Sequence, residues 1–176
     1  LPESLFPDKQ WFQENAVRLR GSGTCYRVRT RPIRNLQRDI VLKWNRMGQN
    51  VPVQDYEEDI CDFEFNSPFE EFSLLMELKN TRYESPGAVY THKPLAIIVP
   101  HERKDLQRLG RSEHKMLPLI EAHKELELDM HRSYAVIYEW IKGLDAVEAE
   151  ERGLLDVQGM VDLTLRCERQ LLSKGF

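Results

Sequence analysis

Between Val17 and Arg31 the chain alternates β-forming residues with arginine: Val17 and Leu19 against Arg18 and Arg20, then Tyr26, Val28 and Thr30 against Arg27, Arg29 and Arg31. A period of two belongs to a half-buried strand, because successive side chains leave a pleated backbone on opposite sides. Gly21-Ser22-Gly23 lies between the two runs and turns one strand into the next. The apolar set of the second strand is expected to face the core or a ligand, and its arginines to face water. A third strand over 39–45 puts Ile40, Leu42 and Trp44 on one side and Val41 with Lys43 on the other.

Helices follow, and together with the strands they set the class as α+β. Ser67-Pro68-Phe69-Glu70 has the form of a helix start: Ser as N-cap, Pro at the first helical position and Glu at the third to complete a capping box. This helix is expected to run to about Asn80 with Leu74, Leu75 and Leu78 inward, and with Glu71 and Leu75 on one face. Pro86-Gly87 ends anything helical. Leu95 to Val99 reads as a short buried strand between Pro94 and Pro100, and 134–141 as another. Between them a helix is expected over 112–130, restricted or kinked by Pro118. The last helix, 157–173, would turn Met160, Leu163, Cys167, Leu171 and Leu172 inward and end at Gly175.

With 176 residues, 41% of them hydrophobic and 31% charged, the chain can bury one substantial core. No apolar run is long enough to span a bilayer, and Leu1-Pro2-Glu3 lacks the pattern of a secretion signal, so a cytoplasmic location is expected. The absent initiator Met points to trimming. Cys25, Cys61 and Cys167 are odd in number and widely spaced, which fits reduced, structural thiols better than a zinc site or a disulfide framework. His92, His101, His114, His123 and His131 show no metal-ligand spacing. The net charge of −4 conceals a run of seven arginines from Arg18 to Arg38 and an acidic run from Asp55 to Glu64. No aromatic residues interleave with the arginines in the way a nucleic-acid surface requires, and the two runs read as solvated faces that partly neutralise each other.

Four segments fall in a telling order: Gly21-Ser22-Gly23 leading to Val28, Val41-Leu42-Lys43, Ser67-Pro68-Phe69-Glu70-Glu71, and Glu139-Trp140-Ile141-Lys142-Gly143. In order and spacing they resemble the ATP-binding lobe of the protein-kinase-like fold, from about Ala16 through Phe176. The resemblance implies an antiparallel sheet with a C-type helix, a helical insertion between strands 4 and 5 at about 101–132, a lobe and hinge over 1–143, and the first helices of a C-lobe over 144–176. It implies ATP as ligand, with Mg²⁺ whose ligands are not in this chain. Gly21 and Gly23 would let backbone amides approach phosphates, although Tyr26 replaces the third Gly of the pattern and Arg20 stands where an aliphatic residue lies under adenine. Val28 and Val41 would sandwich the base, and Lys43 would hold the α- and β-phosphates. An unpaired ammonium within Ile-Val-Leu-Lys-Trp would be costly to bury, so a carboxylate partner is needed. Glu71 is the best placed, with Glu70 as a capping residue and Glu77 as a third candidate. Tyr138 would occupy the gatekeeper position, Glu139 and Ile141 would present backbone to the adenine edge, and Trp140 would pack beside the purine or against the lobe.

Pro86-Gly87-Ala88-Val89 followed by Pro94-Leu95-Ala96 is similar to the approach to the fourth strand in small-molecule and lipopolysaccharide kinases, which favours that atypical branch. The chain stops before the catalytic loop and the metal-binding Asp of the pattern, so it is expected to be inactive by itself, with an open phosphate acceptor. The alternative is a non-catalytic, pseudokinase-like or unrelated α+β interaction module. Such a module would use the face of Arg27, Arg29 and Arg31, or the 101–132 insertion, to bind protein.

Overall fold

A computed structural model describes residues 8–21, 23–32, 34–45, 47, 67–80, 90–122, 124 and 128–175. Cys61, His123, the acidic run from Asp55 to Glu64 and the Pro86-Gly87-Ala88-Val89 segment lie outside the described residues. Helix α1 (Lys9–Asn15) leads into β1 (Ala16–Arg18), β2 (Thr24–Arg29) and β3 (Asp39–Trp44). Then come α2 (Pro68–Asn80), β4 (Pro94–Ile98), α3 (Glu113–Ala122), β5 (Ala135–Glu139), α4 (Ala146–Glu151) and α5 (Val157–Leu172). The architecture is α+β: the described residues form five α-helices and one open sheet, every neighbouring pair antiparallel, in the order β1-β2-β3-β5-β4.

Each face of the sheet carries its own core. On one, Phe12 from α1 packs with Val28, Leu42 and Ala135. On the other, Val41, Val136 and Tyr138 pack with Phe72 and Leu75 of α2 and with Leu19. Helix α1 is a feature that the sequence reading did not include. Seven residues give little periodic signal, and the helix is held by its surroundings: the Asp8 carboxylate accepts from the Trp11 amide at 2.9 Å and from Arg31 at 2.7 Å.

Helix α2 starts where expected, with the buried Ser67 hydroxyl accepting from the Phe69 and Glu70 amides at 3.2 and 3.5 Å. Its inward face differs from expectation. Phe72 and Leu75 meet the sheet while Leu74 is exposed, because Leu74 lies about 100° around the helix from Leu75 and about 160° from Phe72. Strand β4 is likewise less buried than expected, with Leu95 exposed, since it forms the edge of the sheet, where its leading Pro94 is tolerated. Helix α3 covers only Glu113–Ala122, with Pro118 inside it. On α5, Met160 and Cys167 are half-buried, but Leu163, Leu171 and Leu172 are exposed, contrary to expectation. Asp156 caps α5 by accepting from the Gly159 amide, and just past its end the Lys174 ammonium donates to the Leu78 carbonyl at the end of α2. Among the described residues no helix is long and apolar enough to cross a membrane.

The segment between β4 and β5 closes the end of the sheet. Met116 and Met130 join Met47 and Tyr134 in a third core, flanked by Ile97, Val99 and Leu106. Through that core runs the guanidinium of Arg111, 5% exposed, which donates to the carbonyls of Met47 (2.8 Å), Arg132 (2.9 Å) and Met130. Burial lowers its pKa to about 10, so it stays charged at neutral pH. Three carbonyl oxygens from two separate stretches, Met47 after β3 and Met130 with Arg132 before β5, thus converge on one planar donor, which fastens the 101–132 segment to the end of β3. Arg111→Met is expected to lower the unfolding free energy by about 2–4 kcal/mol, because it strands buried acceptors. Arg111→Lys should recover only part of that, since one ammonium cannot span the fork; urea denaturation of both variants checks it.

Candidate functional site

Beneath the β1–β2 hairpin, on the α2 face of the sheet, lies a cavity of about 1020 Å³. Leu19, Cys25 and Val41 form its apolar wall, Lys43, Glu71 and Tyr138 its inner end, and Trp140, Ile141 and Gly143 the side after β5. Leu144, Asp145, Glu148 and Glu151, before and along α4, bound the mouth, together with Arg18 and Arg20 of the hairpin. The mouth is bridged by Arg20 and Glu151 at 3.9 Å, both well exposed.

Register explains this lining. Strand β2 pairs with β3 so that Cys25 faces Lys43, Arg27 faces Val41 and Val28 faces Ile40. Directly opposed residues share a face, so Cys25, Lys43 and Val41 point one way while Val28, Ile40 and Leu42 point the other. Across the hairpin the Leu19 amide donates to the Cys25 carbonyl at 3.0 Å, which sets these two residues side by side at the cavity.

Lys43 Nζ lies 2.6 Å from Glu71 Oε1. The tyrosine hydroxyl of Tyr138 donates to the same oxygen, and the other carboxylate oxygen, Oε2, is buried without a hydrogen-bond partner among the described residues. Burial first, and the Glu71 carboxylate second, push the Tyr138 pKa far above the ordinary phenol value, so this hydroxyl keeps its proton and remains a donor. The Lys43 side chain is about one-third exposed toward the cavity, against 14% for Glu71. The ammonium is therefore the reachable member of the pair.

The expected site residues divide accordingly. Val41, Lys43, Glu71, Tyr138, Trp140 and Ile141 come together around the cavity. Val28 does not: it is buried against Phe12 on the far side of the sheet, three residues from Cys25 and hence on the opposite face, so it cannot sandwich a ligand with Val41. Its place is taken by Cys25 and Leu19. Gly21 and Gly23 sit at the hairpin tip, outside the cavity lining. Gly21 has φ +137°, which a side chain would strain, and Gly23 presents its carbonyl to Arg18 at 3.3 Å. Glu139 also lies outside the lining; its amide donates to the Lys93 carbonyl at 2.9 Å, and its carbonyl lies 3.5 Å from His92 Nδ1. Trp140 carries the Arg27 guanidinium 4.7 Å from its ring centre, and Arg27 is also paired with Asp39. The expected water-facing arginines are thus partly engaged, since Arg31 likewise pairs with Asp8 and stacks on Trp11.

No protein-family model, no curated protein and no solved structure matches this chain. The residues missed in sequence were Leu19, Cys25 and Leu144, together with the bond from Tyr138 to Glu71. Parity offered a signal for the first two, since Leu19 and Cys25 fall on the faces that a five-residue turn over 20–24 makes continuous with Lys43. The two faces predict different responses. Val28→Ala is expected to cost about 2 kcal/mol of stability as a buried truncation, and Cys25→Ala, at a partly exposed position, under about 1 kcal/mol. Urea denaturation of the pair checks the assignment, and a larger loss at Cys25 would reverse it.

Proposed function

We propose that the cavity binds a purine nucleotide and that the chain is the ATP-binding portion of a kinase-like phosphotransferase. The observation that carries this reading is the Lys43–Glu71 pair at the inner end of a cavity roofed by a glycine-tipped hairpin. A cation held by a carboxylate at 2.6 Å, one-third exposed, can accept a phosphate as a second anionic partner without moving. The apolar wall of Leu19, Cys25 and Val41 suits a flat base, and Trp140 and Ile141 bring backbone past its edge. The strand order β1-β2-β3-β5-β4, with α2 laid against the central strands, also supports the resemblance to the kinase-like lobe.

The residues present fit the phosphate chain and base of ATP. Among the described residues no group of three or more His, Cys, Asp or Glu side chains converges to hold an ion. The reading gives this chain binding and orientation of the nucleotide, with Lys43 as the phosphate contact and Glu71 as its partner. The small-molecule-kinase branch stays part of the proposal through the Pro94-Leu95-Ala96 approach to β4. Protein capture by the arginine face is the weaker alternative, since Arg27 and Arg31 already have intramolecular partners.

Wild-type protein is expected to bind Mg-ATP in isothermal titration calorimetry. Lys43→Met, combined with Glu71→Gln so that no carboxylate stays buried without its cation, should weaken that binding roughly tenfold or more while the circular dichroism spectrum is retained. Equal affinity of the two proteins would remove Lys43 from the phosphate site.

A further inference from the structure

Three elements meet at one oxygen atom. Lys43 comes from β3, Glu71 from α2 and Tyr138 from β5, where Tyr138 is paired with Val41 and so lies diagonal to Lys43 on the same face. Both donors use Glu71 Oε1, while Oε2 is buried and unpartnered among the described residues. A carboxylate held by one flexible lysine alone retains broad freedom about its last torsion, and the lysine stem adds several more rotatable bonds. The phenol adds a donor on a side chain with two torsions, itself 5% exposed and set edge-on against the His92 ring at 6.2 Å.

We propose that Tyr138 is a positioning residue: its hydroxyl, donated to Glu71 Oε1, holds the carboxylate in the orientation that places Lys43 at the inner wall of the cavity. The nucleotide consequence rests on the reading given above, whereas the positioning itself does not. The raised pKa of Tyr138 keeps the donor protonated, so the hydroxyl acts on Glu71 as a neutral hydrogen-bond donor. Phenylalanine fills the same volume, so Tyr138→Phe isolates the hydroxyl.

The test uses the full chain and two readouts. In the first, without nucleotide, the acylation rate of Lys43 by a small succinimidyl ester is followed by peptide mass spectrometry, with a melting temperature for each variant. Glu71→Gln releases the ammonium and sets the fast limit. Tyr138→Phe is expected to raise the rate several-fold toward that limit and to have no effect in the Glu71→Gln background, where no carboxylate needs orienting. An unchanged rate in the single variant, or an acceleration in the Glu71→Gln background, overturns the proposal, and the double variant decides it even if the single one folds poorly. In the second readout, Tyr138→Phe is expected to weaken Mg-ADP binding roughly tenfold, about the worth of one hydrogen bond to a charged group, and to leave adenosine binding unchanged. Equal losses for both ligands would mean that the ring only packs against the base, and would overturn it. Wild-type protein that binds neither ligand refutes the nucleotide reading, while the acylation rates still decide the role of Tyr138.

Discussion

An ammonium on the buried side of a central strand is tolerated only with a carboxylate beside it, and much of this structure follows from that requirement. Lys43 shares its face of β3 with Val41 and lies among apolar neighbours from β5. Glu71 answers it from α2, which fixes the rotation of that helix: the turn that aims Glu71 at β3 also turns Phe72 and Leu75 onto the sheet and leaves Leu74 outside. The helix is thus docked by one polar contact and two apolar ones on the same side. The cavity leaves the lysine side chain partly in contact with water, which lowers the cost of placing it there.

The same parity argument governs the opposite wall. The turn between β1 and β2 sets which residues of β2 stand over Lys43, and a shift of one residue would exchange every side chain between the two cores. In the register observed, the large residues Tyr26 and Val28 fill the α1 side, and the smaller Cys25 is left above the cavity. A small side chain there keeps the space open. Arg27, next along the strand on the cavity face, reaches past it to Trp140 and Asp39 and braces the chain where it leaves β5.

At the far end of the sheet the insertion between β4 and β5 solves a different problem. Its connections expose backbone carbonyls that no strand satisfies, and the methionine core around Met116 and Met130 offers them one donor, the Tyr134 hydroxyl, which reaches only the Asp129 carbonyl at 3.3 Å. Arg111 supplies the donors. One residue therefore replaces several turns' worth of hydrogen bonding, and the cost of burying its charge is offset by the carbonyl dipoles gathered around it.

Local signals in the sequence determined the strands of the hairpin, the face of β3 that carries Lys43 and the Ser67 start of α2, because period and capping chemistry act over a few residues, whereas Glu71 as the partner of Lys43, 28 positions away, was an expectation of the kinase-like resemblance. The local signals missed α1, whose seven residues are held by Arg31 and the sheet, and they left Val28 facing either the core or a ligand, a choice that the register settles for the core, against the sandwich with Val41 that the resemblance implied. Only the tertiary structure could bring Tyr138 to Glu71 across 67 positions, make β4 an edge strand, and gather three carbonyl groups on Arg111. Such contacts depend on how whole elements pack, and no window of neighbouring residues contains that information.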